Sequence, residues 1–176
     1  MAYPNPLIES LFNEFQPIMG ADYHRYKNHV YRVFLNCLLL DSSDLNADKY
    51  AIAAVFHDIG IWTNDTIDYL DPSIAQAKLY LLVNGREALS GEITQMIYWH
   101  HKTGAYKGKY EQTVETFRRA DWIDVTFGLL SFGVERKALA ANRKLLPNLG
   151  FHAFLAKAVF KNLLKHPLNP LPMFKR

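Results

Sequence analysis

Residues 23–40 read YHRYKNHVYRVFLNCLLL. Tyr26, His29, Val30, Val33, Phe34 and Cys37 recur three and four positions apart, the spacing of one helical face and not the alternation of a strand. The stretch predicts a helix over 23–40 whose inward face carries a histidine. Working outward, the same spacing returns between short turn-rich breaks at 41–46, 60–71, 103–109 and 146–150. It predicts further helices over about 47–59, from 71 through Ile74, Ala77 and Leu81, over about 87–101 and about 111–130, and near 135–145 and 151–165. Asn46 or Asp44 is expected to cap the second helix and Gly60 to stop it in a left-handed conformation. Asp71–Pro72 is expected to open the third. About seven helices and no convincing strand predict an all-α bundle. We expect a single domain over 1–176, with a helical core at about 22–130 followed by C-terminal helices and a Pro-rich tail at 131–176.

Bulk composition narrows the function classes. A chain of 176 residues can bury a sizeable core. Its aromatic content of 14% argues against disorder. The net charge of +3 is small and spread out, and Lys175 and Arg176, in an expected loose tail, supply part of it. Such a charge tolerates an anionic small molecule and marks no nucleic-acid groove. The single cysteine, Cys37, lies among Phe34, Leu35, Leu38, Leu39 and Leu40, so a buried structural thiol is expected and an intrachain disulfide is excluded. MAYPNPLIES lacks the basic start and apolar run of a signal peptide. No apolar run approaches the ~20 residues that span a bilayer. A cytoplasmic protein with no membrane partner is expected. Leu129, Leu130, Phe132 and Val134 are expected in the core, with a homodimer face as the alternative.

Polar residues of one chemical kind occupy positions where apolar ones are expected. His29 shares its face with Tyr26, Val33 and Cys37. His57 and Asp58 close the second helix after Ala53, Ala54 and Val55. His100 is in register with Ile93, Met96 and Ile97, and Asp121 with Val114 and Phe117. Taken singly, each has an ordinary reading. An inward histidine is often a hydrogen-bonded core residue. Asp58 at a helix C-terminus could bond a nearby loop, although its charge opposes the helix dipole there. Asp121 beside Arg118 and Arg119 could form an ion pair. Burying unpaired groups of this kind costs several kcal/mol. Their recurrence on four helices favours convergence on a cation.

The order His29, His57–Asp58 in AVFHDIG, and Asp121 in FRRADWIDV resembles the H…HD…D pattern of the HD-domain superfamily of metal-dependent phosphohydrolases. The resemblance covers roughly 23–124, and IYWHHK at 97–102 is similar to the histidine-bearing helix of many members. It implies an HD-type helical bundle in which His29, His57, Asp58 and Asp121 bind the first metal. It also implies hydrolysis of a nucleotide or another small phosphate ester by a metal-activated water, which Asp58 would help orient. A mixed nitrogen and oxygen shell suits Mn, Fe, Co, Ni or Zn. Dinuclear members carry a further histidine on the helix after the HD pair, whereas DPSIAQAKLYL holds Ser73, Gln76, Lys78 and Tyr80 there. A mononuclear centre is therefore expected, with His100 over its open side to bind phosphate or relay a proton. Neighbouring helical residues point ~100° apart, which favours His100 as the inner histidine and keeps His101 as the reserve choice for substrate.

Other residues are weaker candidates. Arg25 and Arg32 flank His29 and are candidates for substrate phosphate, against a solvated reading. Asp65 and Asp68, in GIWTNDTIDYLD, are candidate general acids, against cap or turn roles. Lys102 and Lys107 are expected at the mouth, and Asp124 in hydrogen bonding behind Asp121. His24, His152 and His166 are expected to be surface or structural. Two other classes stay open. One is a hydratase or lyase, or less readily an iron oxygenase, using the same metal. It would be favoured if Trp62, Tyr69, Trp99 and Tyr106 line a pocket for a small apolar substrate. The other is a non-catalytic metal-binding protein.

Overall fold

Asn5 starts the first helix, α1 (Pro6–Met19), by accepting hydrogen bonds from the Leu7 and Ile8 N–H groups at 3.0 and 3.1 Å. Pro6 then stands in the first turn, where no N–H is needed. The structure, a computed structural model, describes residues 3–174. α1 is an addition to the expected helices. It turns Ile8, Leu11, Phe12 and Met19 inward. All seven expected helices are present, and no strand occurs among the described residues.

The centre is formed by α2 (Tyr23–Leu40), α3 (Ala47–Phe56), α6 (Ser90–Trp99) and α7 (Glu111–Val125). α2 packs most extensively on α7 and also on α3, while α6 packs on both α3 and α7. α3 is buried on every side from Tyr50 to Phe56, as a helix apolar all round must be. Its Ala51, Ala53 and Ala54 let neighbouring helices approach closely. α4 (Gly60–Thr63) is a single turn, and α5 (Leu70–Val83) packs on α6. α8 (Arg136–Leu145) and α9 (Phe151–Lys165) both pack on α2. The Phe151 ring stacks on His29 with centroids 4.3 Å apart, so the C-terminal helices continue the same core.

Several boundaries differ from the sequence expectation. α3 ends at Phe56, and Gly60 opens α4 instead of adopting a left-handed stop. Glycine is needed there for space: an added Cβ would lie 2.5 Å from the Tyr69 carbonyl oxygen and 3.0 Å from the Ser73 nitrogen. Asn46 makes no cap bond; its amide donates to Asp41 Oδ2 at 2.8 Å. α5 begins at Leu70, which puts Asp71 and Pro72 inside its first turn. α7 stops at Val125, five residues early, because the chain turns at Phe127 and Gly128, both at positive φ. Leu129, Leu130 and Phe132 consequently face solvent at 76%, 46% and 39% exposure, which overturns their core reading.

The C-terminal tail turns over the domain at Pro172–Phe174. Met173 is buried against Tyr69 and Leu70, and the Phe174 ring stacks on His101. Lys175 and Arg176 lie outside the described residues. No helix among the described residues is long and apolar enough to cross a membrane.

Candidate metal centre

Tyr26, one turn before His29, aligns the elements of the site. Its buried hydroxyl donates to the Val55 carbonyl at 2.8 Å and accepts from the Asp58 N–H at 3.3 Å. That contact fixes α2 against the end of α3. His57, Asp58 and Ile59 follow as a turn, which swings the HD pair toward α2 and α7.

The protonation of the histidines follows from their outer partners. His29 Nδ1 lies 2.7 Å from Asp124 Oδ2, and His57 Nδ1 lies 2.7 Å from the Ala54 carbonyl oxygen. Carboxylate and carbonyl oxygens only accept here, so each Nδ1 must carry the hydrogen. In the neutral rings both Nε2 atoms then carry lone pairs, and they face each other at 2.9 Å. Burial pushes the His57 pKa down to about 3, so a proton is a poor bridge. Two carboxylates face the same point. Asp58 Oδ2 stands 3.8 Å from His29 Nε2 and 3.4 Å from His57 Nε2. Asp121 Oδ1 stands 3.6 and 3.8 Å from the same nitrogens. Ligands at ~2.1 Å from one metal are separated by about 3.0 Å at octahedral and 3.4 Å at tetrahedral edges. The residues present therefore fit a divalent cation. The donor atoms of His29, His57 and Asp58 all lie within 4.8 Å of one another, and Asp121 closes the set from α7.

Asp58 also faces a second group. Its Oδ1 is buried with no hydrogen-bond partner and points to His100 Nε2, equally buried and unpartnered, at 3.5 Å. His100 Nδ1 donates to the Ile97 carbonyl at 2.6 Å. Donor atoms of Asp58, His100 and His101 again lie within 4.8 Å of one another. α6 ends at Trp99, and of the two histidines beyond it His100 is fully buried, as its register predicts, while His101 is partly exposed. His100 keeps helical backbone angles at the end of the helix, and His101 follows in the turn, where a ring nitrogen still comes near Asp58. His101 Nε2 meets the Tyr69 hydroxyl at 2.5 Å. Of the four aromatics considered for the pocket, Tyr69 thus reaches a histidine of the centre, whereas Trp62 bonds Asp22 and Trp99 packs on Tyr106.

The two central carboxylates respond differently to burial. Burial raises the Asp58 pKa, but the His57, His100 and His29 imidazoles outweigh it and hold the group well below its usual range. Asp121 is pushed up to about 6, first by burial and then by Asp58 and Asp124, against the opposing pull of His100 and His29. The imidazoles accommodate one negative charge readily and a second poorly, and a cation would stabilise both. The alternative reading of Asp121, an ion pair with its neighbours, is not formed among the described residues. Arg118 and Arg119 instead bond Glu115, at 2.8 and 3.4 Å.

Behind the centre stands a buried brace. Asp124 Oδ2 receives His29 Nδ1 and Arg32 Nη2, the latter at 2.9 Å, and Oδ1 receives Arg32 Nε at 2.6 Å. Arg32 is 2% exposed and also donates to the Leu146 carbonyl at 3.0 Å. It is neither a solvated residue nor free to hold a substrate phosphate, which corrects both readings. His152, expected to be surface or structural, lies with Nε2 3.1 Å from the Asp124 carbonyl oxygen.

The remaining candidates sit apart. Arg25 pairs with Asp22 at 3.3 Å and lies over the Phe154 ring. Lys102 places its ammonium over the Tyr98 ring at 4.8 Å, and Lys107 pairs with Glu111 at 2.9 Å. Asp65 is exposed at φ 46° beside a cavity of about 490 Å³ between the 61–67 loop and α9. Asp68 donates its N–H to Thr66 Oγ1 at 3.1 Å, a turn contact. Neither aspartate belongs to the groups converging on Asp58. Every member of the centre from His29 to Asp121 is 2% exposed or less, His101 being partly exposed. Set beside family models, curated proteins and solved structures, the chain matches none of them.

Proposed function

We propose that this protein is a metal-dependent hydrolase of small phosphate esters, nucleotides among them, with His29, His57, Asp58 and Asp121 holding a divalent cation. One observation carries the reading: two imidazole Nε2 atoms face each other at 2.9 Å between two buried carboxylates. The resemblance to the HD-domain superfamily supports the reaction class. A bound Mn, Fe, Co, Ni or Zn ion would activate a water and polarise a phosphoryl oxygen.

The chain's own residues do the rest. Asp124 and the Ala54 carbonyl fix the orientation of His29 and His57, so no reorganisation is needed when the cation enters. Asp58 divides its oxygens between the two histidine groups. His100 has its Nδ1 hydrogen committed to Ile97, leaving Nε2 to take or return a proton beside Asp58. Burial lowers its pKa, but Asp58 and Asp121 outweigh that and raise it, which suits a proton carrier. With His101 it also offers nitrogens for a second cation sharing Asp58. The single buried thiol suits a reducing cytoplasm.

The closure of the centre favours a second reading, a resident metal that only ties α2, α3 and α7 together. One assay separates the two. Purified protein is loaded with each candidate metal and offered an aryl phosphate and a nucleotide panel, beside His57→Ala and Asp58→Ala. The hydrolase reading expects metal-dependent turnover that falls at least about 100-fold in both variants. Metal-loaded protein that melts higher but hydrolyses nothing refutes it and leaves the structural metal.

A further inference from the structure

A second cavity, about 110 Å³, lies behind the brace, lined by Arg32, Phe127, Arg143, Leu146, Asn148 and His152, with Asp124. Its charges do not balance. Asp124 is already saturated by Arg32 and His29, so the Arg32 charge is compensated. Arg143, from the last turn of α8, adds a positive charge that no salt bridge among the described residues offsets. Its Nη2 atom is buried without a hydrogen-bond partner. The backbone leaves room for that guanidinium. Gly128 stands at φ 72°, and a Cβ there would collide with Arg143 Nη2. Asn148 contacts His152, and both face the same space.

Arg143 is partly exposed, but its Nη2 has lost water without gaining an acceptor, which is costly, and a fork of N–H donors matches an oxyanion best. Size sets the class. The cavity measures about 110 Å³. That admits phosphate or sulfate and is too small for the drug-sized or nucleotide ligands that fill roughly 300 Å³ or more. We propose that this cavity is a binding site for one small inorganic oxyanion, held by Arg143 with Asn148 and separate from the metal centre. The site does not depend on the hydrolase reading. Because its wall includes Asp124, it would sit one residue behind the His29 ligand.

The test uses full-length, chelator-treated protein, so that a bound cation cannot collect phosphate, and Asp58→Ala as a second background lacking the metal centre. Inorganic phosphate is titrated calorimetrically and by its effect on thermal melting. Saturable binding with one site per chain is expected in both backgrounds. Arg143→Gln, which keeps hydrogen-bonding capacity but removes the charge, should weaken binding at least tenfold and abolish the phosphate-dependent rise in melting temperature. Its helical circular dichroism should stay that of the parent. Absence of saturable binding, or equal binding in Arg143→Gln, overturns the proposal. Phosphate binding that vanishes in Asp58→Ala also overturns it, since it assigns the anion to the metal centre.

Discussion

Asp124→Asn should separate what holds the fold from what prepares the metal ligands. Three N–H donors, His29 Nδ1 and Arg32 Nε and Nη2, aim at the two oxygens of Asp124 at 2.6 to 2.9 Å. An asparagine keeps the size but offers one oxygen, and its NH2 must face at least one of those donors. It also leaves the Arg32 guanidinium, 2% exposed, with no counter-charge. Breaking a buried pair in this way costs about 3–5 kcal/mol. For a chain of this length, each kcal/mol moves the melting temperature by roughly 2–4 °C, so the metal-free variant should melt about 10 °C lower. Losing the acceptor that orients His29 should weaken metal binding a further ~10–100-fold. Calorimetric melting of metal-free protein reads the first effect and metal titration the second. Arg32→Met/Asp124→Leu provides the control, because a well-packed apolar pair often restores stability. It should recover most of the melting temperature while metal affinity stays low. Asp124→Asn protein that melts and binds metal like the parent would refute the brace and the tautomer it imposes on His29.

Metal affinity should also depend on pH through Asp121, whose pKa in the metal-free fold is about 6. Above that pH affinity should be nearly flat; below it a proton occupies the carboxylate and affinity should fall about tenfold per pH unit, as titration from pH 5 to 8 would show. Without metal the same group contributes stability below its unfolded value near 3.9 that is lost as pH rises through about 6, because the folded state binds the proton more tightly. Gly60→Ala should destabilise by about 2–3 kcal/mol in denaturant melts, since the new Cβ meets Tyr69 and Ser73 backbone atoms that cannot swing away. Cys37 is fully buried, and burial raises its thiol pKa well above the usual value. It should react with a thiol reagent at pH 8 only after unfolding, whereas prompt reaction in the native state would contradict its placement.

The helices were legible because their signal is local. Tyr26, His29, Val33 and Cys37 announce α2 without reference to the rest of the chain. α1 carries a comparable local signal, with Asn5–Pro6 as cap and first turn and Ile8, Leu11 and Phe12 on one face. The positions of His29, His57, Asp58 and Asp121 stood out as polar residues on apolar faces. What escaped depends on distant partners. Arg32 looks like any solvated arginine until Asp124, 92 residues away, is brought against it. How closely His101 approaches Asp58 depends on where α6 ends, and helix ends are the least determined feature of a sequence pattern. Leu129, Leu130 and Phe132 read as core because nothing local shows that the chain has already turned at Phe127.

Two imidazoles and two carboxylates from α2, the turn after α3, and α7 should enclose one divalent cation. Crystals of the protein purified with Mn, Fe, Co, Ni or Zn, measured at the absorption edge of the bound element, test it most directly. The account predicts an anomalous peak at about 2.0–2.2 Å from His29 Nε2, His57 Nε2 and an oxygen each of Asp58 and Asp121. A metal-soaked crystal with no peak among these residues, or with ordered water in their midst, would contradict it.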